Sequence, residues 1–245
     1  MSDWVISGAP QGMPDVDLES PVRDLVAHGD DNLILSQRLG EWISNAPDLE
    51  LDIALGNIAL DHLGVARALY TRAGELEGAG RAEDDFAMRR TERQFLNVLL
   101  VEQPNGDFAA TIVRQYFFDV YQSLLWPELA RSEDDVVAGI AGRAAKENAY
   151  HLEFSHSWLR RLGDGTEESH RRMQAAIDDL WRFTAELATD AWTSMVMPSL
   201  AAAGLVVPDD SYQRTGGRDG FHTEHLGFIV AEMQWMDRTY PGLKW

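Results

Sequence analysis

Two internal stretches decide most of what this chain can fold into. Residues 51–70, LDIALGNIALDHLGVARALY, and residues 108–130, FAATIVRQYFFDVYQSLLWPELA, both carry apolar residues at helical spacing, and both are apolar on nearly every side. A helix lying on a protein surface keeps one polar face, so helices of this kind must be surrounded by other elements. Runs that alternate polar and apolar residues, the mark of a half-buried strand, are nearly absent. An all-α bundle is the fold that satisfies both observations.

The boundaries of the other elements follow from capping and breaking residues. Residues 1–28 hold Pro10, Pro14 and Pro21 with scattered aliphatics and read as an extended N-terminal arm, leaving 29–245 as one helical domain. The next segment, DNLILSQRLGEWISNA, predicts a helix with the stripe Leu35, Leu39, Trp42, Ile43 and Ala46, closed at Ala46-Pro47. Asp48 and Asp107 stand where they can cap the two central helices, and Thr166 can cap a helix that follows a long one over 134–162. FAMRRTERQFLNVLLVEQ is expected to be helical at least in part, ending at PNGD. The glycine-rich SYQRTGGRDGFHT precedes a last helix with Thr223 as its cap. Four long helices with additions and a leading arm make a four-helix bundle of the ferritin-like kind.

Composition removes several function classes. The absence of cysteine excludes disulfides, iron–sulfur clusters and thiol nucleophiles, and 40 acidic against 21 basic residues give a formal charge of −19. That charge repels nucleic-acid phosphates and anionic lipid, so neither nucleic acid nor membrane is an expected partner. The start of the chain lacks a basic, continuously apolar leader, and a cytoplasmic location is expected.

Ferritin-like bundles that bind two irons take one carboxylate from each of two helices and a Glu-x-x-His from each of the other two. The literal pattern occurs at Glu153–His156 and at Glu167–His170. At about 100° per residue, Glu147, His151, Phe154, Trp158 and Leu162 share the apolar face of their helix, which puts Glu153 and His156 on the far side. Glu167 likewise opposes the stripe Met173, Ile177, Leu180, Thr184. The inward acids are then Asp61, Asp119 and Glu147, and Glu41 could either complete a quartet or, on a face with Gln37, Arg38 and Asn45, meet water; Glu41, Asp61, Asp119 and Glu147 make a degenerate ligand set that lacks histidines three residues on, with Tyr150 and Gly64 at those places. The residues therefore predict no catalytic group and no metal in this chain, and a polar network in its core. The alternative is an autonomous di-iron oxidase or oxygenase. His222, Glu224 and His225 could mimic a metal cluster, but a helix start accounts for them. The tryptophans, Trp126, Trp158, Trp181, Trp192, Trp235 and Trp245 among them, are expected as core and interface anchors.

The stretches LSQRLGEW (35–42), RQFLNVLLVEQPNGDFA (93–109), RQYFFD (114–119), LWRFTAEL (180–187) and YQRTGGRDGFHTEHLGFIVAEMQW (212–235) closely resemble the non-catalytic, ferritin-like C subunits of phenylacetyl-CoA 1,2-epoxidases. The resemblance covers about residues 30–245. It implies a structural role in a multicomponent monooxygenase of aerobic phenylacetate breakdown, with no cofactor in this chain. It also implies a related catalytic A subunit that holds the di-iron site, and a reductase that draws electrons from NADPH through flavin and an iron–sulfur cluster. The implied assembly is a hetero-oligomer with the catalytic subunit, a dimer of heterodimers, joined by a small bridging subunit. The resemblance further implies that Arg93, Gln94, Phe95, Leu96 and Asn97 help hold the coenzyme A part of phenylacetyl-CoA; arginine suits phosphate, and the amides suit pantetheine.

Overall fold

The computed structural model of the chain describes residues 21–209 and 212–241. Four long helices form the bundle: α1 (Val22–Gly40), α2 (Leu49–Glu77), α4 (Phe108–Leu129) and α5 (Asp135–Gly163). Between α2 and α4 lies the short α3 (Glu83–Met88), and α6 (Glu167–Leu180), α7 (Asp190–Ala202), α8 (Glu224–Met233) and α9 (Trp235–Thr239) follow. Helix α1 pairs with α2 and α4 with α5, α2 meets α5 to close the bundle, and α6 and α7 cover α4. No strand occurs among the described residues. This is the expected ferritin-like arrangement with additions.

The caps are where the sequence placed them. Asp48 accepts from the Leu51 N–H at 2.8 Å, Asp107 from Ala110 at 3.0 Å and Thr166 from Ser169 at 3.1 Å. Three expectations need correction, and one helix, α7, lies outside them. Helix α1 begins at Val22, inside the stretch read as an arm: a proline is tolerated at a helix start, and Val22, Leu25 and Val26 are buried at helical spacing. Residues 1–20 of that arm lie outside the described residues, as does Trp245. At its other end α1 stops at Gly40, and residues 41–45 turn, with Ser44 at φ +69°. Helix α7, carried by only three buried side chains (Trp192, Val196, Leu200) and interrupted by Pro198, has no strong periodic signal. Thr223 does precede α8, but its hydroxyl donates to Glu102 instead of capping the helix.

The largest departure is the segment from Arg89 to Asp107, which is irregular except for one 3-10 turn at Glu92–Gln94. It is nevertheless core: Phe95, Val98, Leu100 and Val101 are fully buried. Buried backbone groups need partners, and here side chains supply them. Two adjacent aspartates of α1 do most of this. Asp30 accepts from the Leu96 N–H at 2.7 Å, from the Tyr70 hydroxyl and from the Arg90 guanidinium. Asp31 accepts from the Val98 N–H at 2.8 Å and from Arg218 at 2.6 Å. Both aspartates are essentially sealed from solvent. Removing one member of a buried ion pair leaves the other charge uncompensated. Arg90→Ala should therefore lower the unfolding free energy by about 3–5 kcal/mol. Arg131→Ala, at a pair in which both partners are 73% exposed, should change it by less than about 1 kcal/mol. Urea titrations of the two variants check the contrast.

Candidate functional site

The place where a ferritin-like bundle would hold metal is the midpoint between α1, α2, α4 and α5, and here it is filled by amides. Asn32, Gln115, Gln122 and Asn148 are all buried, as are His62, His151 and Asp119. Asn32 Oδ1 accepts from Gln122 at 2.9 Å and lies 2.8 Å from His62 Nδ1. Gln115 Nε2 donates to Asp119 Oδ1 at 2.7 Å and lies 3.4 Å from His62 Nε2. Ser155 donates to Asp119 Oδ2 at 2.6 Å, and Asn148 donates to the Asp119 carbonyl at 3.0 Å. His151 Nε2 reaches the partly exposed Asp61 at 3.0 Å, and its ring lies 5.1 Å from that of His62. The result is one continuous polar network spanning four helices.

Burial pushes the Asp119 carboxyl up to about 8, against the opposing hydrogen bonds from Ser155 and Gln115. Burial also lowers His62 well below the usual imidazole range, with the neighbouring His151 acting in the same direction. His151 is lowered by burial, and its bond to Asp61 opposes the shift. Burial thus pushes Asp119, His62 and His151 all toward their neutral forms.

A dinuclear iron centre does not fit these residues. Four carboxylates would be needed to balance the two cations, and this centre offers one buried carboxylate, Asp119, among four amides, with Asp61 and Glu147 only at its cleft edge. His62, Asp119 and His151 do bring ligand atoms within 4.8 Å of one another, enough for one ion at most, and only with Asp119 ionised against its burial. The cleft beside them, lined by Asn32, Asp61, His62, Glu147, Asn148 and His151 among others, has about 10 Å³ of space, room for a single water.

Of the four positions read as degenerate ligands, Asp119 is at the centre, and Asp61 and Glu147 border it on the cleft side. Glu41 does not join them; it stands beyond the end of α1, bonded to Arg38 and Asn105. Glu153 is exposed, as expected from its face, whereas His156 is half-buried and stacks on Tyr116 at 5.7 Å. Glu167 is exposed, and His170 bonds the Gly163 carbonyl. The inward pattern that a search for acids misses is Asn148-x-x-His151, a Glu-x-x-His with its acid replaced by an amide. Treating Asn and Gln as carboxylate look-alikes finds it, because the two groups share shape and differ in charge.

The glycine-rich loop is structural. The N–H groups of Gly216 and Gly217 are held by Glu186, Arg218 reaches inward to Asp31, and His222 bridges Glu102 and the Phe95 carbonyl. A Cβ on Gly217 would come within 2.2 Å of the Asn97 carbonyl oxygen, which explains the glycine there. Trp126 and Trp192 are core, Trp158 and Trp181 half-buried, and Trp235 exposed.

The segment expected to meet coenzyme A divides in two. Phe95, Leu96 and Asn97 are buried with their side chains packed inside the chain; Phe95 lies under the Arg90 guanidinium, and Asn97 bonds Glu102. Arg93 is exposed, and Gln94 is half-buried with its amide oxygen accepting from the Thr91 N–H.

The Asp119 shift has a consequence for stability. Its folded pKa exceeds the unfolded value of about 3.9, so the folded chain holds one extra proton between those two values. The stability this group contributes is full below about pH 4 and is lost as pH rises through about 8. Asp119→Asn, which keeps the neutral shape, should match the wild type near pH 4 and exceed it in stability at pH 9, as read from urea unfolding across that range.

Comparison with known proteins agrees with this architecture. The chain is 50% identical to the C subunit of the 1,2-phenylacetyl-CoA epoxidase of Escherichia coli (strain K12) over 238 residues, covering 89% of this chain and 96% of the relative. It is 20% identical to the A subunit of the 1,2-phenylacetyl-CoA epoxidase of the same organism over 251 residues, covering 92% of this chain and 78% of that relative. The family model described as "Phenylacetic acid catabolic protein" matches residues 6–191 and 188–245, and the chain belongs to that family.

Proposed function

We propose that this chain is the non-catalytic C subunit of a phenylacetyl-CoA 1,2-epoxidase, a cytoplasmic scaffold that stabilises a homologous di-iron subunit during aerobic phenylacetate breakdown. The observation that carries this reading is the centre of the bundle. It keeps the shape of a di-iron site while Asn32, Gln115, Gln122 and Asn148 supply no charge to balance metal. The close likeness to a C subunit and the remoter likeness to an A subunit support a division of labour between related bundles. In that division the partner holds the irons, a reductase supplies electrons, and the heterodimer pairs with a second copy through a small bridging subunit. Among the described residues no helix is long and apolar enough to cross a membrane.

Two measurements test the assignment. Chain isolated alone after growth in iron-rich medium should hold well under one iron per molecule and show no NADPH-driven oxidation of phenylacetyl-CoA; two irons with turnover would make it an autonomous oxygenase instead. Adding it to the catalytic A subunit and reductase should restore epoxidation that those components lack without it.

The contribution to coenzyme A binding is narrowed to the surface residues of its segment, Arg93 and Gln94. An exposed guanidinium suits a phosphate of the coenzyme. In the assembled enzyme Arg93→Ala should raise KM for phenylacetyl-CoA about three- to tenfold and leave kcat unchanged, the size of effect expected for one solvated charge contact worth about 1 kcal/mol. An unaltered KM would remove this part of the proposal.

A further inference from the structure

The glycine-rich loop over 216–222 lies along the backbone of 93–97 and grips it carbonyl by carbonyl. A Cβ on Gly220 would come within 2.3 Å of the Arg93 carbonyl oxygen, as one on Gly217 would collide with that of Asn97. Between them His222 Nε2 donates to the Phe95 carbonyl at 2.8 Å, and Arg218 donates to the Leu96 carbonyl at 2.8 Å. The remaining carbonyl, that of Gln94, accepts from Arg90 at 2.8 Å. Each carbonyl from 93 to 97 is thus bonded or closely packed, and the 3-10 turn that presents Arg93 and Gln94 has a fixed back.

Of the side-chain types in this grip, only imidazole ordinarily titrates near neutral pH. His222 Nδ1 lies 2.8 Å from Glu102 Oε2, and its other nitrogen meets the Phe95 carbonyl, which can only accept. Glu102 is fully buried and already accepts from the Asn97 amide and from the N–H and hydroxyl of Thr223. With an acceptor on each side, both ring nitrogens donate and the ring is an imidazolium. Burial alone would lower its pKa. The hydrogen bond and charge of Glu102, the Phe95 carbonyl and the Asp30 charge on α1 outweigh burial and raise it above the ordinary value. The remaining charges nearby are Arg38, which donates to the Glu102 carbonyl, Arg90 and Arg218, which pair with Asp30 and Asp31, and the exposed Glu224 at the start of α8.

We infer that His222, clamped between Glu102 and the Phe95 carbonyl, is a positioning residue for the acyl-coenzyme A contact, and that losing its proton frees the turn carrying Arg93 and Gln94. This rests on the reading above that those two residues meet the coenzyme. The folded value is raised, so the clamp is complete below the ordinary imidazole value and is lost as pH rises through the folded one. Long-range proton–nitrogen correlation spectra of the isotope-labelled full chain, with His222→Gln identifying the signal, should show both ring nitrogens protonated at about pH 6.5. The same spectra give the pH at which one proton leaves. In the assembled enzyme His222→Gln should raise KM for phenylacetyl-CoA about three- to fivefold below that pH, with kcat unchanged. The wild-type KM should climb to the variant's as pH passes through the ring's own titration, and His222→Gln should add nothing to Arg93→Ala, because it acts through that turn. A ring that is neutral at about pH 6.5 overturns the inference and leaves the coenzyme reading standing. So does a KM ratio that is independent of pH or persists in the Arg93→Ala background. Should His222→Gln not fold, the wild-type KM must still inflect at the ring's titration, and a flat profile overturns the inference. An unaltered KM in Arg93→Ala removes the coenzyme reading and the inference with it.

Discussion

Two neighbouring aspartates in the middle of α1 hold the rest of the structure in register. Asp30 and Asp31 are sealed from solvent, and each carboxylate is divided between a distant arginine and a backbone N–H of the irregular segment after α3. Their chain neighbour Asn32 continues the pattern by tying His62 of α2 to Gln122 of α4. Three consecutive polar residues therefore fix an irregular core segment, the glycine-rich loop and the bundle centre. Charges this deep are tolerated because each is paired and fully hydrogen-bonded, and the pairing is directional where apolar packing is not.

That dependence explains which parts of the fold can be read from the sequence. Helices α2, α4 and α5 are legible because their apolar periodicity and their caps, Asp48, Asp107 and Asp134, are local features of the chain. The segment after α3 is not, since its backbone is satisfied by Asp30, Asp31 and Glu186 from elsewhere in the fold, and no local residue announces that. The beginning of α1 is hidden behind Pro21, and α7 behind Pro198 and a stripe of only three residues.

The candidate site is legible in outline and not in detail. Face geometry places Glu153 and Glu167 outside, and the structure has them exposed. The two readings open for Glu41 resolve to the one outside the centre, and a search for acids passes over Asn32, Gln115, Gln122 and Asn148. The inner stripe of α5 runs through Ala144, Asn148, His151, Ser155 and Leu159, so Phe154 and Trp158 are half-buried beside it and not at its centre. A small rotation of the assumed face is enough to hide Asn148-x-x-His151.

The amide centre also bears on how such a protein reaches its native state. Where a bundle's helices meet on a coordinated metal, part of its folding free energy is binding free energy and depends on metal supply. Here the four helices are joined by hydrogen bonds among Asn32, His62, Gln115, Gln122, Asn148 and Asp119, groups the ribosome itself delivers. The contacts that tie these helices together are therefore written into the chain's own sequence, residue by residue.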